Sequence, residues 1–140
     1  MKYLLDTCVI SELVRRRPNP HVVEWLRHQD PDSLYLSILT IGEIKKGIVK
    51  RGGDARAAKL ENWLQTTILG AFADRILPVE RDVALEWGRI CGLAESVGRK
   101  RSAVDALIAA TAFVHKMKLV TRNVADMADM GVPILNPFGS

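Results

Sequence analysis

Short apolar runs and helical stripes alternate along this chain from one end to the other. Residues 2–5 predict a short buried strand and 9–14 a short helix. Pro18-Asn19-Pro20 breaks the chain, after which 21–29 places Val22, Trp25 and Leu26 at helical spacing. Asp30-Pro31-Asp32 predicts a turn and Leu34–Ser37 a second strand. A helix over 40–50 stops at Gly52-Gly53, and Asp54 caps the next, whose Leu60, Trp63, Leu64, Thr67 and Ile68 form one stripe. Residues 75–79 predict an extended link interrupted by Pro78. A helix over 82–97 ends at Gly98, and the helix over 102–116 is apolar almost all round, as one enclosed on several sides should be. Residues 118–121 and 132–135 predict the last strands, with a short helix from Val124 between them. Strands alternating with helices imply an α/β fold with a mainly parallel central sheet and helices on both faces. The strand order is not legible.

A length of 140 residues suits one domain spanning 1–140. The composition, 48% hydrophobic and 26% charged, is that of an ordinary globular protein. Asp6 cuts the opening apolar run too short for a signal peptide, and no run is long enough for a membrane span. Cys8 and Cys91 form neither a CxxC pair nor a disulfide framework, so the expectation is a cytoplasmic protein in a reducing compartment. The net charge of +4 is bunched in Arg15-Arg16-Arg17, Lys45-Lys46, Lys50-Arg51 and Arg99-Lys100-Arg101. Such bunching suits a polyanion, although on charge alone solvated helix ends and loops are the commoner source of short basic runs.

Four acids change the picture. Asp6, Glu43, Asp105 and Asp126 each stand where an apolar run hands over to a helix, which in an α/β fold is the carboxyl edge of the sheet. Taken singly, three have a plain explanation. Thr40–Glu43, Ser102–Asp105 and Asn123–Asp126 match or approximate the capping-box spacing. Taken together, four carboxylates on one edge would repel one another unless cations neutralised them. The donors are all oxygen, with no Cys/His pair at zinc spacing, which favours Mg²⁺ or Mn²⁺. Thr7, Ser37, Thr40, Thr121 and Asn123 are placed to orient the carboxylates.

Other chemistries have less support. Cys8 has no histidine at a comparable handover point, and His21, His28 and His115 read as helix-surface or helix-end residues. No phosphate-cradling glycine motif is present. Trp25, Trp63 and Trp87 fall on helical stripes and read as core. A phosphoryl-transfer receiver domain also gathers acids at strand ends, but needs a lysine after a late strand, where this chain has Thr121-Arg122-Asn123.

With these residues in hand, the chain resembles PIN-domain proteins, and more narrowly VapC-type toxins of the FitB-like branch. The matching segments are Leu5-Asp6-Thr7 with Val9-Ile10-Ser11-Glu12, Tyr35-Leu36-Ser37 leading to Gly42-Glu43-Ile44 and Gly47, and Arg75-Ile76-Leu77-Pro78. Later come the run from Asp105 to Ala112, Val120-Thr121-Arg122-Asn123, and Leu135-Asn136-Pro137-Phe138. The resemblance implies a PIN-like three-layer α/β/α sandwich and a Mg²⁺-dependent endoribonuclease. It also implies the toxin of a type II toxin–antitoxin pair, usually a homodimer, silenced by a DNA-binding VapB/FitA-like antitoxin. It assigns Asp6, Glu43, Asp105 and Asp126 to the acidic pocket, with Asp6 and Asp105 first among the metal ligands. One departure is Cys8, where the family usually carries Asn. Cys8 is the one feature that favours the alternative of a catalytically weak or inactive module that binds an antitoxin-like partner. Arg99, Lys100 and Arg101, just before the Asp105 helix, are the candidate RNA-phosphate contacts.

Overall fold

The computed structural model describes residues 1–139. Strand β1 (Tyr3–Leu5) leads into helix α1 (Thr7–Glu12), followed by α2 (Pro20–Arg27), β2 (Leu34–Ser37) and α3 (Ile38–Lys50). Helix α4 (Ala55–Asn62) widens into a π-helical turn over Trp63–Ile68, then α5 (Leu69–Ala71) and β3 (Ile76–Leu77). The long helices α6 (Arg81–Ser96) and α7 (Ala103–Val114) precede β4 (Lys118–Val120), α8 (Val124–Met127) and β5 (Ile134–Leu135). The five strands form one parallel sheet in the order β3-β2-β1-β4-β5.

Period-2 alternation divides the core between the two faces of this sheet. Leu5, Leu34, Leu36 and Val120 pack with α1 to α4, against Val9, Val22, Ile44, Ile48 and Leu64. Leu4 and Leu119 pack on the other side with α6 to α8, against Val83, Ile90, Ile108 and Met127. The result is the expected α/β/α sandwich. Trp25 and Trp63 lean on the first core and Trp87 on the second, so all three are packing residues.

Residues 75–79, expected only as a link, contain the edge strand β3. It is two residues long because Pro78 follows at once and removes a backbone donor. Asp54 caps α4 by accepting from the Ala57 amide at 2.7 Å, as expected.

The topology fixes where a site can form. Strands β2 and β3 run outward from β1 on one side, and β4 and β5 on the other. Strand order therefore reverses between β1 and β4, and the carboxyl ends of those two strands border the crevice where open α/β sheets bind ligands. Asp6 follows β1 and Thr121 follows β4 at this crevice.

Candidate functional site

Asp6 is anchored at the switch point by three bonds. Its amide donates to the Val120 carbonyl at 2.9 Å, extending the β1–β4 pairing by one step. Carboxylate Oδ1 accepts from the Thr7 amide at 2.8 Å, which makes Asp6 the N-cap of α1. Oδ2 accepts from the Thr121 hydroxyl at 2.7 Å, and that hydroxyl in turn accepts from the Asn123 amide at 3.0 Å. Asp6 is only 3% exposed, and among the described residues its carboxylate is met by polar groups rather than by a cationic side chain.

Glu43 reaches the site by a route that differs from the expected cap. The N-cap of α3 is Ser37, whose hydroxyl accepts from the Leu39 amide at 3.1 Å. Because β2 passes directly into α3 at that serine, the helix starts two residues earlier than its apolar stripe implies. Thr40 then lies inside the helix and Glu43 in its second turn, so the Thr40–Glu43 capping box does not form. The freed carboxylate accepts a short hydrogen bond from the Thr7 hydroxyl, with Thr40 Oγ1 3.1 Å from the same oxygen of Thr7.

Asp105 lies in the first turn of α7, where its amide donates to the capping Ser102 hydroxyl at 3.4 Å. Its carboxyl is pushed above the usual range, first by burial and then by the charges of Asp6, Glu43 and Asp126. Asp105 is thus the acid that feels all three of the others. Asp126 is exposed in the first turn of α8, where Asn123 makes no side-chain cap; Asn123 joins the network through its backbone amide alone. Asp105 and Asp126 line a cavity of about 230 Å³ with Lys100, Arg101 and Ser102.

Among the described residues, no three His, Cys, Asp or Glu side chains are drawn together as a preformed metal cage.

Cys8 stands behind Asp6. Its sulfur is 3.7 Å from both Asp6 Oδ2 and the Thr121 hydroxyl, and it accepts from the Arg122 amide at 3.5 Å. Burial and then the Asp6 charge push its thiol pKa up, which keeps it protonated and unsuited to act as a nucleophile. An amide at this position would donate to Asp6 and accept from Arg122 more strongly than a thiol does. If the pocket holds Mg²⁺ for RNA cleavage, as the resemblance implies, Cys8→Asn is expected to lower the Mg²⁺ concentration for half-maximal cleavage roughly five-fold, the equivalent of one net hydrogen bond of about 1 kcal/mol. A clear loss of cleavage in that variant would instead give Cys8 a packing role.

The basic triplet is less free than its sequence implies. Arg99 and Arg101 both pair with Asp129, and Arg101 also donates to the Asp126 carbonyl at 3.2 Å. Lys100 makes no ion pair among the described residues and is exposed. A separate groove of about 270 Å³ runs between α1, α3 and α4. It opens at Thr7 and Glu43, is floored by Ile44, Ile48 and Leu60, and is rimmed by Arg15, Arg51 and Arg56.

Two buried or half-buried charges were not singled out by the sequence pattern. Glu12 is 5% exposed on the inner face of α1, and Arg122 follows Thr121 beside it. An acid on the apolar stripe of a short helix was the available signal for the first.

The PIN domain family profile matches residues 3–131. The chain belongs to the PIN-domain family. Within it, this PIN domain stands with the VapC/FitB toxins. It is 36% identical over 135 residues to Toxin FitB of Neisseria gonorrhoeae, covering 96% of this chain and 97% of that one. It is 33% identical over 135 residues to the VapC ribonuclease Y4jK of Sinorhizobium fredii, covering 96% of each. Among solved structures, FitAB bound to an IR36 DNA fragment superposes with a TM-score of 0.90 at 36% identity, covering 99% of this chain and 96% of that one. No helix among the described residues is long and apolar enough to cross a membrane.

Proposed function

We propose that this PIN domain is a Mg²⁺-dependent endoribonuclease and the toxin of a type II toxin–antitoxin pair. The observation that carries the reading is the convergence of three carboxylate charges on the half-buried Asp105 at the sheet's switch point. That concentration of negative charge, offered by oxygen donors alone, fits a hard divalent cation. Asp6, Glu43, Asp105 and Asp126 would hold Mg²⁺ or Mn²⁺, which when bound supplies a water of lowered pKa and charge stabilisation at a phosphate.

The chain's own residues supply the positioning. The Thr121 hydroxyl and the Thr7 amide fix both oxygens of Asp6, while the Thr7 hydroxyl orients Glu43. Lys100, at the rim of the Asp105 cavity, is the member of the basic triplet available to an RNA phosphate. Arg99 and Arg101 share the single carboxylate of Asp129, and Arg101 lines the same cavity. The purified protein is expected to cut single-stranded RNA with Mg²⁺ and to stop when EDTA is added; cleavage undiminished in EDTA would defeat the reading.

The groove supports a reading of the partner. A DNA-binding antitoxin, of the kind seen with FitB in the FitAB–DNA structure, would lay an apolar tail between α1 and α3. An Arg of that tail reaching Glu43 or Asp6 would pair through bidentate bonds and exclude the cation. A peptide copying such a tail is expected to inhibit cleavage, with partial relief as Mg²⁺ rises. Inhibition indifferent to Mg²⁺ and to replacement of that Arg would point to simple occlusion. A homodimer is also proposed, since Leu85 and Leu93 of α6, Val97 just after it and Phe113 of α7 are exposed large apolar residues. Sedimentation at micromolar concentration is expected to give a dimer that Leu93→Lys weakens; a wild-type monomer contradicts it.

A further inference from the structure

Arg122 and Glu12 lie outside the acidic pocket but are tied to it. The Arg122 amide donates to Cys8 Sγ, and the preceding residue, Thr121, holds Asp6. Its guanidinium carbon sits 3.9 Å from the centre of the Phe138 ring, and Nη2 lies 3.9 Å from Glu12 Oε1. The Glu12 side chain is 6% exposed, whereas that of Arg122 is 50% exposed.

Glu12 is already engaged. Its Oε2 accepts from the Asn19 amide at 2.8 Å, and Arg15 Nη1 stands 3.5 Å from Oε1. One carboxylate therefore faces two guanidiniums, which leaves a local excess of one positive charge. A separation of 3.9 Å is too long for a hydrogen bond, so Glu12 attracts Arg122 without consuming its donors. Among the described residues the Arg122 guanidinium makes no hydrogen bond to protein.

Phe138, which forms the base of the stack, is itself fixed. Its amide donates to Asn136 Oδ1 at 2.9 Å, and its carbonyl accepts from Asn19 Nδ2 at 3.3 Å. A guanidinium stacked on an aromatic ring keeps its plane while its N–H fork stays available for a bidentate anion. The other arginines near the acids differ in this respect, since Arg99 and Arg101 are committed to Asp129.

We propose that Arg122 is a phosphate-binding residue for the RNA strand entering this site, and that Glu12 positions it. The proposal rests on the ribonuclease reading above. Glu12 lies six residues along α1 from Asp6, about 9 Å of helix axis. That is the span of a few phosphates at most, so one strand can touch both the acids and Arg122. A nuclease pocket lined with carboxylates repels its own substrate, and a cation held at its border offsets that repulsion.

The competing explanation is that Arg122 only braces the C-terminal segment through Phe138. Two substitutions separate the two: Arg122→Met keeps an apolar side chain on the ring and removes the charge, and Arg122→Lys keeps the charge. Binding of a fluorescein-labelled, mixed-sequence, single-stranded RNA would be followed by anisotropy against salt, with Mg²⁺, in an Asp105→Asn background that prevents cutting. Arg122→Met is expected to make the slope of log affinity against log salt shallower by about 0.7, the loss of one phosphate contact. Arg122→Lys should restore it. In the cleaving protein, Arg122→Met should raise KM roughly five- to tenfold with the loss on KM rather than kcat. Glu12→Gln should raise KM while keeping the wild-type salt slope, because the guanidinium charge remains.

An unchanged slope and KM in Arg122→Met overturns the proposal, and a lowered melting temperature alongside them establishes the brace. If the Asp105→Asn parent binds no RNA and the wild type cuts none, the ribonuclease reading falls and the proposal with it. RNA binding that is intact but indifferent to Arg122 removes the proposal alone.

Discussion

Asp105→Asn is expected to lower Mg²⁺-dependent RNA cleavage by at least ~10²–10³-fold, the scale on which loss of one preorganised charge-stabilising group registers. Asp6→Asn should do the same. Asparagine is the informative replacement because it keeps the shape and, at Asp6, an oxygen for the α1 cap, where Asn and Asp perform alike. Stability should move the other way at Asp105. Its folded-state carboxyl lies above the usual value, so the ionised form is disfavoured in the folded protein. Stability from this group is therefore fully present below the unfolded-state pKa and declines as pH rises through the raised one. In EDTA, Asp105→Asn should thus be more stable than the wild type at neutral pH, with the advantage vanishing in acid. Full cleavage by the purified Asp105→Asn protein, or a wild-type advantage in neutral EDTA, would sink the assignment.

The second large effect concerns the strand that carries Thr121. Leu119 is fully buried on β4, in register with Leu4 of β1 on one side and Ile134 of β5 on the other. Leu119→Ala should destabilise the domain by about 2–5 kcal/mol through lost burial and a residual cavity. Against a typical total of about 5–15 kcal/mol that is a large fraction. Urea unfolding should show the midpoint falling with an unchanged slope. A loss below about 1 kcal/mol would mean that the core beneath the switch point collapses to fill the gap.

The alternation of strands and helices was legible because each apolar run is short and bounded by Pro, Gly or an acid. The strand order was not, since nothing local says that the chain leaves β3 and returns on the far side of β1. At the site, the four acids stand out in the sequence as candidates, but their hydrogen bonds do not. Thr40 and Glu43 match a capping box by spacing; only the direct passage of β2 into α3 at Ser37 shows that the helix begins earlier and leaves Glu43 free. Arg99-Lys100-Arg101 looked like three equal cations until Asp129, distant in sequence, claimed two of them. Arg122 gave no signal of its own because its partners, Glu12 and Phe138, lie more than a hundred residues before it and near the chain's end.

Cys8 is the residue at which sequence and geometry bear most directly on activity. Its thiol stands between the Asp6 carboxylate and the Arg122 amide and contacts none of the other three acids among the described residues. The substitution therefore tunes the pocket rather than dismantling it.

On the proposed function, these four acids together form one hard-cation site. Titration of Mn²⁺ into the purified protein, followed by electron paramagnetic resonance, tests it without RNA, antitoxin or turnover. The wild type should bind Mn²⁺ in competition with Mg²⁺, and Asp6→Asn and Asp105→Asn should each lose most of that binding. Equal Mn²⁺ binding by the wild type and both variants would contradict it.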